Sequence, residues 1–132
     1  MIDDIRWKQR FENFKNSLIN LELAKKIEEP DIIQKAGLIQ LFEISFELGW
    51  KVLKDYLESQ GFNDVKSPRA AIKKAFELGL IDNGEAWLEA LQDRNLSTHT
   101  YDEGVSNQIV DEIKKRYFNI LIELKYKLAK YE

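Results

Sequence analysis

The fold class that this sequence predicts is an all-α bundle, and three observations predict it. Apolar residues recur at three- and four-residue spacing along most of the chain, the mark of one stripe on a helix. No segment sustains the period-two alternation of a strand. Only two prolines occur, Pro30 and Pro68, and neither interrupts an apolar repeat. The expected arrangement is an antiparallel up-down bundle of three long and two short helices, in a single domain over residues 1–132. The apolar stripes are wide enough to leave material for a homodimer interface.

The elements follow in order. Trp7, Phe11, Phe14, Leu18 and Leu21 have 4-3-4-3 spacing, and Lys8, Arg10, Glu12, Lys15 and Asn16 fill the other face. This predicts a helix from about Asp3 to Ile27. Glu28-Glu29-Pro30 ends it, because proline disfavours helix in the residue before it. The second helix is expected from about Asp31 to Gln60. Ile32, Ala36, Ile39, Phe42, Phe46, Gly49, Leu53 and Tyr56 share its stripe. Ile33, Leu38, Leu41, Leu48, Trp50 and Leu57 widen that stripe, so burial on more than one side is expected. Gly49 costs about 1 kcal/mol against alanine in a helix interior; close helix packing beside Trp50 accounts for it. Gly61 is expected to end the helix.

Ser67-Pro68 reads as a helix start, with serine as N-cap and proline at the first helical position. The short helix that follows carries Ala71, Ile72, Ala75, Phe76 and Leu78, and Gly79 closes it. Asp82-Asn83-Gly84-Glu85 reads as a capping box, with Asp82 as N-cap and Glu85 three positions on. A fourth helix carries Trp87, Leu88 and Leu91 and reaches at least Asn95. After Gly104 the last long helix, about Val105 to Lys130, carries Val105, Ile109, Ile113, Tyr117, Ile120, Leu124 and Leu128.

Composition excludes several functions. There are no cysteines, hence no disulfides and no thiolate metal site, and no metal centre is expected. The N-terminal residues lack the apolar core of a signal peptide, and no apolar run approaches the ~18 residues of a membrane span. A cytoplasmic protein without membrane contact is expected. The net charge of −3 does not suit unspecific grip on nucleic acid, so any anion site must be local.

One segment carries reactive chemistry: Asp93-Arg94-Asn95-Leu96-Ser97-Thr98-His99-Thr100-Tyr101-Asp102, with the only histidine of the chain. Arginine is a permanent cation whose planar fork suits phosphate. Histidine moves protons near neutral pH. At about 100° per residue, Arg94 and His99 sit about 140° apart on an unbroken helix, whereas Asn95 and His99 share a face, as do Arg94 and Tyr101. Arg94 and His99 therefore converge only if the helix loosens between them or if they meet across a dimer. Ser97 and Thr98 compete for backbone hydrogen bonds, which makes a break there reasonable. The bland alternative is a helix-end histidine serving as a cap beside a solvated Arg–Asp pair. A second polar feature lies between Asp64 and Glu77, where Lys66, Arg69, Lys73 and Lys74 occur with no acid. Lys66 and Arg69 flank the expected helix start and are candidates for binding an anion.

Arg94, four residues, His99, one residue and Tyr101 match the R-x4-H-x-Y signature of the HEPN superfamily. The chain more narrowly resembles HepT-type toxins of MNT–HEPN modules, also known as nucleotidyltransferase substrate-binding proteins. Phe42-Glu43, Phe46-Glu47-Leu48-Gly49-Trp50-Lys51, Ser67-Pro68-Arg69 and Trp87 ahead of Asp93-Arg94-Asn95 extend the resemblance over essentially the whole chain. The resemblance implies a homodimeric, metal-independent endoribonuclease with no cofactor of its own. Arg94 and His99 of both chains would line a cleft at the dimer interface, with Asn95 and Asp93 in support. Helical spacing suggests that Asn95 orients His99 or the phosphate. The implied partner is a minimal nucleotidyltransferase, the antitoxin, which transfers AMP from ATP onto Tyr101 and so shuts RNA out. Two other readings stand beside this one: a non-catalytic subunit that presents substrate to the nucleotidyltransferase, and an interaction protein whose arginine and histidine are structural.

Overall fold

A computed structural model of the chain describes residues 2–99 and 101–132; Thr100 of the polar segment lies outside the described residues. Every long element among them is helical, and no strand occurs. Helix α1 spans Ile2–Lys25. Its stripe is the expected one: Trp7, Phe11, Phe14, Leu18 and Leu21 are all buried. Fully burying such a side chain is worth about 1.5–3 kcal/mol, so this stripe alone commits α1 to the core. Helix α2, Ile32–Ser59, runs back along it. The Trp7 ring meets Tyr56 edge-on at 5.0 Å near one end. Further along, buried Ser45 donates to Ser17 Oγ at 3.0 Å, and Ser17 donates in turn to the Phe14 carbonyl.

Helices α3, Pro68–Glu77, and α4, Gly84–Leu96, follow, and α3 packs against both α2 and α4. The last rod comprises α5, Glu103–Glu112, a π turn over Ile113–Tyr117, and α6, Phe118–Ala129. It lies parallel to α2. Lys35 Nζ donates to Asn107 Oδ1 at 2.7 Å at one end, and the rings of Tyr56 and Tyr131 lie 5.4 Å apart at the other. With α1 and α4 running the opposite way, the order is up, down, up, down, as expected for an antiparallel bundle. Among the described residues no helix is long and apolar enough to cross a membrane.

The π turn has a readable cause. Val105, Ile109, Ile113 and Tyr117 are spaced by four residues, and each such step overshoots a helical turn by about 40°. The looser winding of a π turn, with its i→i+5 bonds, absorbs that drift. Ile113 and Tyr117 both stay in the core as a result.

Most helix ends behave as their sequences suggest. Ser67 Oγ accepts from Ala70 N, with Pro68 next to it as the first helical residue. Gly61 and Gly79 adopt φ of +97° and +77°, and the amides of Phe62 and Leu80 reach back to the carbonyls of Leu57 and Ala75. These are Schellman ends, which need the left-handed conformation that glycine adopts without strain. Asp31 and Gln34 form a reciprocal capping box on α2.

Four expectations need correction. The cap of α4 is Asn83, whose Oδ1 accepts from Ala86 N at 3.0 Å, and not Asp82. Aspartate and asparagine cap equally well, and Asp82 is drawn off by Lys127 Nζ at 2.8 Å. The last rod begins two residues before Val105, because Asp102 caps it. The first turn of α2 is not buried: Ile32, Ile33 and Ala36 are exposed. Phe76 and Leu78 are exposed as well.

Gly49 is packed as expected, although its neighbours differ from the one foreseen. A Cβ there would meet Phe14 Cε1 at 3.1 Å and Leu121 and Trp87 at 3.5 Å. All three side chains are core residues with nowhere to retreat. Gly37, on the exposed side of the same helix, has nothing within 4 Å. Thermal melts should therefore separate the two glycines. Gly37→Ala should stabilise by about 0.5–1 kcal/mol, the ordinary helix gain, whereas Gly49→Ala should destabilise.

Among the described residues Asp55 is the most buried acid, at 4% exposure, with Arg10 Nε 2.8 Å from its Oδ2. Burial pushes its carboxyl above the ordinary value, and the charges of Arg10 and Lys54 pull it back. A carboxyl whose folded-state pKa is raised contributes stability at low pH and loses that contribution as pH rises through the folded value. Removing Arg10 strips the ionised form of its compensation. Arg10→Gln should cost about 1–2 kcal/mol near pH 7, discounted from a fully buried pair because Arg10 is partly exposed, and the deficit should shrink in acid as Asp55 takes a proton.

Candidate active site

The reactive segment forms a tight corner between α4 and α5. Helix α4 ends at Leu96, and the chain narrows into a 3₁₀ turn over Ser97–His99. The break therefore falls where Ser97 and Thr98 were expected to place it. Asp102 N donates to the His99 carbonyl at 3.0 Å, and Asp102 Oδ1 accepts from Gly104 N at 2.9 Å and Val105 N at 3.3 Å. One aspartate thus closes the corner and starts the next helix.

Arg94 is held on two sides. Its Nη1 donates to Asn95 Oδ1 at 3.0 Å, and its Nη2 donates to Glu47 Oε2 across the seam with α2. Lys51 Nζ lies 3.6 Å from the other Glu47 oxygen. Partial burial pushes the Glu47 carboxyl upward, but the Arg94 bond, the neighbouring Trp50 indole N–H and the charges of Arg94 and Lys51 outweigh it, so the group sits below the usual carboxylate range. Asp93 points elsewhere. It accepts from the hydroxyl of Tyr117, a buried side chain stacked on Phe42 at 5.4 Å. Burial, and then the bond to this carboxylate, drive the Tyr117 hydroxyl well above its ordinary value, so it stays a donor. Asp93 is therefore a strut between α4 and the π turn. Neighbouring Glu89 adds a second tie there through Arg116.

His99 and Tyr101 form a separate pair. The histidine Nδ1 lies 3.4 Å from the tyrosine hydroxyl, with the rings edge-on and 6.0 Å apart. Both side chains are exposed, Tyr101 at 84%. The structure thus joins Arg94 with Asn95 and His99 with Tyr101. Asn95 accepts a hydrogen bond from the arginine, where spacing alone suggested a partner in the histidine or the phosphate. Lys66 and Arg69 are exposed where α3 begins. Among the described residues no three His, Asp or Glu side chains cluster as metal ligands. Arg94 borders an open groove of about 460 Å³ lined by Gln40, Glu43, Ile44, Glu47 and Leu48.

Two partners were missed by sequence reasoning. Glu47 and Tyr117 each lie far along the chain from the residue they hold. The one local signal for Glu47 is a lone acid inside the apolar run Phe46 to Trp50.

The family of nucleotidyltransferase substrate binding protein like chains matches residues 9–130. The probable ribonuclease HepT of Haemophilus influenzae is 33% identical over 82 residues, covering 57% of this chain and 56% of that protein. The chain thus spans a little over half the length of that relative. A crystal structure from Thermus thermophilus superposes with a TM-score of 0.81 at 28% identity, covering 87% of this chain and 98% of that one. A Haemophilus influenzae structure, described as revealing the fold of a substrate binding domain of a nucleotidyltransferase, superposes with a TM-score of 0.68 at 23% identity, over 93% and 96% of the two chains. That second likeness is one of fold. With the match running from the first turns of α1 to the end of the last rod, the chain belongs to the nucleotidyltransferase substrate binding protein like family.

Proposed function

We propose that this chain is a metal-independent endoribonuclease toxin that works as a homodimer and is silenced by AMPylation of Tyr101. The observation that carries the reading is the corner after α4. It presents a braced arginine, an exposed histidine and an exposed tyrosine in close succession. The similarity to a protein named as a probable ribonuclease HepT supports the same chemistry.

His99 of one chain takes the proton of a ribose 2′-hydroxyl, and the oxygen attacks the adjacent phosphorus. Arg94 stabilises the charge that develops on the non-bridging oxygens, the kind of fixed donor that usually contributes most to catalysis. The 5′-oxygen leaves and takes a proton from a second acid. The products are a 2′,3′-cyclic phosphate and a 5′-hydroxyl. One imidazole cannot hold both roles in one step, and a dimer supplies two. Exposed Ile44 beside the Arg94 groove, with Ile32 and Ile33 further along α2, offers apolar surface for that dimer. The basic residues Lys66 and Arg69 are available to follow the RNA backbone.

Control falls to Tyr101. Its hydroxyl attacks the α-phosphorus of ATP held by a partner nucleotidyltransferase, pyrophosphate leaves, and the hydroxyl proton is lost. The resulting phosphodiester is bulky and anionic, and it grows from a hydroxyl 3.4 Å from His99. It excludes RNA by size and by charge. The description of the matching family favours an alternative, in which the chain presents substrate to the nucleotidyltransferase and does no chemistry itself.

Incubation of the purified chain with total RNA separates these readings. The wild type should cleave, and Arg94→Ala and His99→Ala should each lose about 10²–10⁴-fold. Equal activity in all three proteins would sink the toxin reading. For control, intact-mass measurement follows mixing with ATP and a candidate partner nucleotidyltransferase. The wild type should gain AMP and lose cleavage together. Tyr101→Phe should gain nothing and go on cleaving RNA under the same treatment, and AMP retained in that variant would rule out Tyr101 as acceptor.

A further inference from the structure

We propose that Glu47 is the positioning residue for Arg94: its carboxylate, reaching across from α2, fixes the guanidinium where the scissile phosphate must be met. The inference rests on the ribonuclease reading above. Arginine has many free torsions, and Arg94 sits in the last turn of α4, just before the chain narrows into the 3₁₀ turn. Its fork is nonetheless held by two different elements, Asn95 on its own helix and Glu47 on α2. Asn95 moves with Arg94, so it sets the plane of the fork only relative to α4. Glu47 ties it to the core.

The backbone under Glu47 is among the best fixed in the bundle. Phe46, one residue before it, is fully buried against Trp87 with ring centroids 5.7 Å apart. Gly49, two residues after it, lies where a Cβ would stand 3.5 Å from the same tryptophan. The seam between α2 and α4 is thus set by Trp87, and Arg94 lies two turns further along α4 on the side of that seam. A charged carboxylate on α2 transmits this placement to the guanidinium. With five N–H donors in a rigid fork, arginine can hold a carboxylate and a phosphate on different edges.

The ion pair is a poor stability device, because a pair this exposed contributes little to folding. The carboxylate also sits with Glu43 in the groove that Arg94 borders, where it repels an incoming polyanion. A merely structural or inhibitory Glu47 and a positioning Glu47 therefore predict opposite kinetics. Removal of an inhibitory charge raises turnover. Removal of a positioning charge lowers turnover while leaving substrate binding as good or better.

The test is steady-state cleavage of a fluorophore- and quencher-labelled single-stranded RNA of mixed sequence by the full chain. Glu47→Gln keeps the shape and removes the charge, and its fold is checked by circular dichroism. Its kcat should fall about tenfold, the lower end of what losing an orienting partner costs, with KM unchanged or reduced. The same substitution made on an Arg94→Lys background should change residual kcat by less than about twofold, because a lysine ammonium offers no fork to orient. Wild-type kcat in Glu47→Gln, a higher kcat, or an equal tenfold loss in both backgrounds would overturn the inference alone. Absence of cleavage by the wild type would overturn the ribonuclease reading, and this inference would go with it.

Discussion

The contact between Gly49 of α2 and Trp87 of α4 is the constraint on which the rest depends. Without a side chain at position 49, the tryptophan enters the space between α1, α2 and α6, where Phe14, Phe46 and Leu121 surround it. A helix-interior glycine costs about 1 kcal/mol in conformational terms, and the packing of a large aromatic side chain offsets that several times over. The seam created there sets the register of α4 against α2. Register in turn decides which polar side chains can meet beyond the aromatic cluster.

Two faces of α4 divide the work. Trp87 and Arg94, two turns apart, both meet α2, through Phe46 and Glu47. Glu89 and Asp93, one turn apart, both meet the π turn, through Arg116 and Tyr117. The helix is clamped from two sides immediately before the chain narrows into the 3₁₀ corner. The π turn matters to the site for that reason. It carries the four-residue apolar spacing of α5 through to Tyr117, and it sets that hydroxyl against Asp93 instead of leaving it in the apolar interior of the bundle. A buried phenol needs a partner, and the half-buried carboxylate of Asp93 supplies the acceptor.

Charge at the corner is arranged locally, as a chain with net charge −3 requires. The guanidinium of Arg94 is braced by one carboxylate of α2 and one amide of its own helix, whereas His99 and Tyr101 remain at the surface. For the proposed phosphodiester cleavage, a fixed cation and an exposed histidine make a sensible division, since charge stabilisation tolerates little freedom and proton transfer needs access. An exposed tyrosine beside that histidine is open to modification by a second protein. The proposed control through Tyr101 would require no movement of the core.

Much of this was determined by the sequence itself. The 4-3-4-3 stripe of α1, the Ser67-Pro68 start, the glycine ends at Gly61 and Gly79, and the break at Ser97 and Thr98 are all local patterns. Each depends on spacing or on the intrinsic preferences of a few neighbouring residues, and each reappears in the fold. The signature Arg94–His99–Tyr101 was legible only through its resemblance to a family, not from spacing or local preference. Tertiary structure decided what local chemistry leaves degenerate. Asp82 and Asn83 cap equally well, and a distant Lys127 chose between them. Asp93 and Asn95 look alike as helpers of Arg94, yet Tyr117 draws one into the bundle while the other stays on the arginine. Glu47 could be any exposed acid of an amphipathic helix until Gly49 and Trp87 bring α2 against α4. Pairings between residues dozens of positions apart come from helix register, and register is a property of the packed core.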